Sequence, residues 1–155
     1  MTQQVFEILL KKGLTIGFAE SMTGGFCTYR MVENPGASKV IKGSVVAYTS
    51  EAKITILGIE SKHINEKSSV SKDVAIAMAH SIKSLLKTDI GVGITGNAGP
   101  GLEPNTTLQM AWIAIKSPSS TKTYRVDLQG FNRLEAIHLV THQTYCLLEE
   151  ILREL

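Results

Sequence analysis

Three segments of this 155-residue chain carry side chains able to attack, deprotonate or hold a substrate, each beside glycine or a helix start. The first is Ala19-Glu20-Ser21-Met22-Thr23-Gly24-Gly25. It follows the apolar run Leu14–Ala19 and precedes a helical pattern. Ser21 therefore stands on a strand-to-helix turn, where a serine can serve as nucleophile. Gly24 and Gly25 let a backbone come close to a ligand. The new helix offers unpaired N–H groups to an anion or a developing oxyanion. The plainer reading is that Ser21 or Thr23 only caps the helix.

The second segment is Tyr48-Thr49-Ser50-Glu51-Ala52-Lys53. Lys53 projects from the first turn of the next helix, near the strand end that carries Tyr48. Its charge opposes the helix dipole there, which would depress its pKa and make it a usable base. Taken alone, a lysine at such a place is most simply solvated. The Ser-x-x-Lys spacing of Ser50/Lys53 recurs at Ser69/Lys72, Ser84/Lys87 and Ser119/Lys122, so Ser50 is read as a helix cap and not as a nucleophile. The third segment, Ile94-Thr95-Gly96-Asn97-Ala98-Gly99-Pro100-Gly101, leaves an apolar run and is rich in glycine. Its backbone groups could cradle a phosphate or ribose. It has neither the ending of a P-loop nor a dinucleotide fingerprint, and a plain loop explains it equally well.

The elements that must position these segments alternate. Helices are expected over residues 3–12, 23–32, 50–57, 71–87 and 132–152. Strands are expected over 14–19, 44–48, 90–95, 110–115 and 121–128. In the 71–87 helix, Ser71 can act as cap and Val74, Ala77, Met78, Ser81, Ile82 and Leu85 recur at helical spacing. In the last helix, Leu134, Ile137, Thr141, Tyr145 and Leu148 fall near one face. Alternation predicts an α/β fold, a three-layer α/β/α sandwich. The successive strands 110–115 and 121–128 form a hairpin, so the sheet is mixed, mostly parallel. No linker or repeat divides the chain, and one domain over 1–155 is expected.

Apolar residues make up 43% and charged residues 19%, which excludes a disordered tail. The longest apolar runs, Val74–Ala79 and Met110–Ile115, fall far short of the about 20 residues of a membrane span. The net charge of +2 lacks the clustered excess of a nucleic-acid binder. The start Met-Thr-Gln-Gln is unlike a secretory signal. Cys27 and Cys146 are too few for a disulfide scaffold and do not match zinc spacing. A cytoplasmic protein is expected. His138 and His142 lie one helical turn apart near Glu135 without an evident third ligand, so no metal is expected.

Taken together and in this order, Glu20-Ser21-x-Thr23-Gly24-Gly25, Tyr48-x-x-Glu51-Ala52-Lys53, Val70-Ser71 opening a Met-Ala helix, and Ile94-Thr95-Gly96-x-Ala98-Gly99-Pro100 resemble the CinA C-terminal domain family. Asn34-Pro35-Gly36-Ala37-Ser38 and Leu57-Gly58-Ile59 add to the resemblance, which runs from about Val5 to Leu152. It implies an α/β/α fold, usually oligomeric, and a nicotinamide-nucleotide amidase. Such an enzyme hydrolyses nicotinamide mononucleotide (NMN) to nicotinic acid mononucleotide and ammonia by a serine–lysine mechanism, without metal or other cofactor. Position by position, Ser21 matches the nucleophile, Lys53 the base and Tyr48 the tyrosine that assists them. Glu20, Thr23, Gly24 and Gly25 match the turn around the nucleophile. Thr95, Gly96, Ala98, Gly99 and Pro100 match the nucleotide-facing loop. The implied partners are a small-molecule nucleotide and further copies of the chain, with no nucleic acid and no membrane.

The chain departs from the family pattern after Gly101. Thr107 and Gln109 stand at positions where the family keeps proline and glycine, and Gln109 adds a bulky side chain toward the ligand. Gly130-Phe131-Asn132-Arg133 has an altered spacing, and Ile137 replaces a second arginine. Three functions are therefore carried forward: an NMN amidase, a related serine amidohydrolase with another substrate, and a non-catalytic pyridine-nucleotide-binding module. Turnover of another amide but not NMN would mark the second. Binding without turnover would mark the third.

Overall fold

Ile16–Glu20 forms β1, a strand buried at all five positions. The computed structural model describes residues 1–102 and 108–155, with residues 65–67 described by backbone alone. Thr107 lies outside the described residues. β1 pairs in parallel with β2 (Ile41–Val46) on one side and with β3 (Ile90–Gly96) on the other. β3 pairs antiparallel with β4 (Met110–Lys116), and β4 antiparallel with β5 (Thr121–Asp127). The order is β2-β1-β3-β4-β5, so β4 alone runs against the rest. This is the mixed, mostly parallel sheet expected from the alternation of elements.

Helices cover both faces. On one face, α1 (Thr2–Lys12), α2 (Phe26–Val32) and α6 (Arg133–Glu154) pack on the sheet. Their Leu9, Met31 and Val140 join Phe18, Val92 and Ile113 in one apolar cluster. On the other face lie α3 (Ser50–Leu57), α4 (Ser61–Lys67) and α5 (Lys72–Leu86). Leu57, Ile64, Val74, Met78 and Ile82 cluster there with Ala19 and Ala47. None of the helices among the described residues is long and apolar enough to cross a membrane.

The alternation Ile-Gly-Val-Gly-Ile in β3 explains how closely the layers stack. Side chains alternate between the faces of a strand. Ile90, Val92 and Ile94 therefore enter the α1/α2/α6 core, while Gly91 and Gly93 face α5. A Cβ on Gly93 would lie 2.2 Å from the Ala75 carbonyl oxygen, and one on Gly91 2.2 Å from that of Ala79. Only hydrogen fits, and α5 answers with alanine at its nearest positions.

Several boundaries differ from the sequence expectation. The helix expected at 23–32 begins at Phe26, because Gly24 and Gly25 adopt positive φ (59° and 96°) and hold residues 23–25 in a turn. The strand expected at 44–48 runs from Ile41 to Val46. Helix α3 has the expected bounds, but its cap is Thr49, whose hydroxyl accepts from the Ala52 N–H at 3.1 Å; Ser50 is the first helical residue. Ser71 caps α5 as expected. Leu85 and Leu134 are exposed instead of core-facing. Helix α4 and a short 3-10 turn at Ala37–Lys39 were not foreseen.

Replacing Gly93 with alanine is expected to cost about 3 kcal/mol or more, since the new methyl meets backbone. Gly17→Ala meets the side-chain end Leu86 Cδ1 at 2.9 Å, which can turn away, and is expected to cost about 1 kcal/mol. Urea unfolding midpoints of the two variants measure the difference.

Candidate active site

β1 ends in Glu20, and the chain then turns through Ser21–Gly25 into α2. Glu20 is fully buried. Its Oε1 accepts from Thr23 Oγ1 (2.6 Å) and the Cys27 N–H (2.9 Å). Its Oε2 accepts from the Thr28 N–H (3.0 Å) and Thr28 Oγ1 (2.6 Å). A carboxylate so placed satisfies N–H groups that the start of a helix leaves open, and its charge suits that end of the helix. The cap of α2 is thus supplied from the preceding strand. Neither Ser21 nor Thr23 caps it, and Thr23 itself donates to Glu20. Glu20 and Thr23, expected beside the substrate, lie beneath the turn with their side-chain oxygens engaged in holding it.

The turn is further fixed by the Ser21 N–H, which donates to the Ile94 carbonyl at 3.1 Å, and by the Gly24 N–H, which donates to the Ser21 carbonyl at 3.0 Å. The Ala47 N–H donates to the Glu20 carbonyl at 2.8 Å and carries the β1–β2 pairing past the strand ends. That pairing brings Tyr48 beside Ser21, with the Tyr48 carbonyl 3.5 Å from Ser21 Oγ. One turn of α3 later, Lys53 is 1% exposed instead of solvated, and its Nζ donates to Ser21 Oγ at 2.9 Å. The Tyr48 ring is half exposed, and its hydroxyl meets Arg133 Nη2.

The third segment leaves β3 alongside. Thr95 is buried and donates to the Ser69 carbonyl at 2.6 Å, which ties the loop before α5 to the sheet. A Cβ on Gly96 would fall 2.4 Å from Met22 Sδ, so glycine there makes room for the residue after Ser21. The Gly99 carbonyl accepts from Arg133 Nη1 at 2.8 Å.

A cleft of about 50 Å³ opens between these segments. Of the expected residues it brings together Ser21, Tyr48, Gly96, Ala98 and Gly99. Lys53 bonds Ser21 Oγ but does not itself line the cleft. Glu20, Thr23, Gly24, Gly25 and Thr95 do not line it either, and Pro100 faces an adjoining hollow. Met22, Asn97 and Gly101, which lie in the candidate segments without an assigned role, and Arg133, noted only for its altered spacing, also line the cleft. Arg133 carried one readable signal: it follows Asn132, which forms a capping box with Glu135 and so fixes where α6 begins. Burial pushes the Cys27 thiol up, and the charge of Glu20 adds to the shift, which keeps this sulfur a packing group. Among the described residues, no group of three His, Cys, Asp or Glu side chains could hold a metal.

Glu20→Gln turns an acceptor into a donor facing donors. The expected loss is about 2–3 kcal/mol, read as a lower urea midpoint at an unchanged slope. An unchanged midpoint would show that the carboxylate does not hold α2.

The CinA C-terminal domain model matches residues 1–152. A CinA-like protein of Fervidobacterium nodosum is 39% identical over 131 residues, which cover 84% of this chain and 32% of that protein. A putative competence-damage inducible protein of Lysinibacillus sphaericus is 36% identical over 154 residues, covering 97% of this chain and 37% of that protein. The chain spans about a third of the length of these relatives. Among solved structures, a CinA superfamily protein from Klebsiella pneumoniae superposes with a TM-score of 0.94 at 24% identity, over 99% of this chain and 96% of that one. The competence/damage inducible protein CihA from Agrobacterium tumefaciens gives a TM-score of 0.92 at 25% identity, over 98% and 93%. The motifs, the sheet order and the full-length match agree: the chain belongs to the CinA C-terminal domain family.

Proposed function

We propose that the chain is an amidase that hydrolyses nicotinamide mononucleotide to nicotinic acid mononucleotide and ammonia, with Ser21 as nucleophile and Lys53 as base. The observation that carries this reading is the 2.9 Å contact between Lys53 Nζ and Ser21 Oγ, made by a lysine removed from water. The contact places a lysine nitrogen where a proton can pass between it and the serine hydroxyl.

In this reading Ser21 Oγ attacks the carboxamide carbon while its proton passes to Lys53. The tetrahedral oxyanion is met in this reading by the backbone N–H of Met22, the residue of the turn after Ser21 that lines the cleft. Lys53 returns the proton to the leaving nitrogen, the C–N bond breaks and ammonia departs, leaving an ester on Ser21. Water, deprotonated by Lys53, attacks that ester, and Ser21 recovers its proton as the carboxylate leaves. Tyr48 supports the pair through its carbonyl beside Ser21 and closes the cleft mouth through its hydroxyl on Arg133. The resemblance supports a cytoplasmic homo-oligomer as the working form.

One observation favours the second reading, an amidohydrolase with another substrate. Gln109 lies against the glycine loop, and its Nε2 donates to the Ala98 carbonyl at 3.3 Å. The wall around a ligand is therefore changed at that point.

The test is release of ammonia and nicotinic acid mononucleotide from NMN by purified protein. Ser21→Ala is expected to lower the rate at least about 10³-fold, and Lys53→Ala at least about 10²-fold. Release that persists in Ser21→Ala would remove the mechanism. Tight NMN binding without release would favour a binding module.

A further inference from the structure

Helix α6 carries two histidines one turn apart, His138 and His142, which no metal site among the described residues explains. Both line a hollow of about 340 Å³ between α2, α6 and the start of α1. Its lining includes Phe26 and Arg30 from α2, and Thr141 and Tyr145 from α6. Sites for small organic ligands usually span about 300–1,000 Å³, and this volume falls within that range. No described residue lines both this hollow and the Ser21 cleft.

The polar groups of the hollow favour an anion. No carboxylate is among its described lining residues. Arg30 forms one ion pair, from Nη1 to Glu33 Oε2 at 2.6 Å. A guanidinium carries more N–H donors than that pair uses, and a pair so exposed holds its partners weakly. His138 and His142 each carry a ring N–H in either charge state. Thr141 is buried, and its Oγ1 accepts from Cys27 Sγ at 3.6 Å, which leaves its own hydrogen to donate. Tyr145 donates to the Cys27 carbonyl at 2.7 Å. Burial pushes the Tyr145 hydroxyl up, and Cys27 and Glu20 add to the shift, so it stays protonated and brings no opposing charge.

The apolar wall is aromatic. The Phe26 ring stacks on Tyr29, with centroids 6.1 Å apart and planes 12° from parallel. It also meets the His138 ring at 4.7 Å and 56°. Flat rings pack on such faces in offset or edge-on arrangements. A molecule that satisfies both the cation and the ring wall is a ring that bears a carboxylate. Arg30 and Phe26 come from α2 and the imidazoles and Thr141 from α6, so such a molecule spans two helices.

We propose that this hollow is a binding site for a small aromatic carboxylate, anchored by Arg30 and flanked by Phe26 and His138. It is separate from the Ser21 cleft and does not depend on the amidase reading.

Benzoate is the probe, with benzamide as the ring without the charge and acetate as the charge without the ring. Calorimetric titration into the whole chain is expected to show saturable binding of benzoate and at least about tenfold weaker binding of the other two. Arg30→Gln is expected to weaken benzoate at least about tenfold. Arg133→Gln, at the Ser21 cleft, is expected to leave benzoate binding within about twofold. Thermal unfolding of each variant checks that the fold is kept. No saturable binding to the wild type, equal binding of benzamide or acetate, or loss in Arg133→Gln in place of Arg30→Gln would overturn the site, whether or not NMN is hydrolysed.

Discussion

Glu20 brings a carboxylate to the end of the central strand and gives it no water. Such a charge is tolerable only where hydrogen bonds replace its hydration. Here they come from Thr23, Cys27 and Thr28, all in the turn or the helix that follows. Strand, turn and helix are thereby tied at one point, and Ser21 sits on the knot. Ser21 owes its fixed position to the residue before it, whose carboxylate is engaged away from the cleft.

Strand direction does the remaining assembly. β2, β1 and β3 run the same way, so their C-terminal ends meet at one edge with β1 in the middle. In open α/β sheets this edge is where ligands bind. The reversed β4 begins at the same edge and delivers Gln109, and β5 ends there and leads into Arg133. Five strand ends from distant parts of the chain therefore converge on one small volume. Lys53 and Ser21 are 32 residues apart in sequence, yet they meet because adjacent parallel strands carry both.

Much of this was legible from residue patterns. The α/β/α layering followed from alternating periodicities, and α3 was bounded by Gly58, a stop that needs no tertiary information. Its cap was misassigned because Thr49 and Ser50 are adjacent hydroxyls, and only the backbone angles decide between them. Glu20 enters the expected site only through the family motif, and sequence does not reveal that it is buried with its carboxylate turned to the start of α2. Arg133 stands out in the sequence only by its altered spacing, and its contacts were not legible because its partners, Gly99 and Tyr48, are 34 and 85 residues away. Leu134 fits the apolar face of α6 by periodicity but lies in the first turn, beyond the reach of the sheet. Gly91 and Gly93 could be read only as small strand residues until α5 was seen against them.

Those glycines act as a gauge for a region that carries no reactive group. The gap between β3 and α5 is set by hydrogen atoms, so the helix has one depth at which it can seat. The loop entering α5 supplies the Ser69 carbonyl that anchors Thr95, and Thr95 leads into the loop over the cleft. A helix that rode higher on the sheet would draw that anchor with it and loosen the roof above Ser21. Substitution in this chain is therefore constrained at a distance from Ser21, at a place where the tolerance is the width of a methyl group.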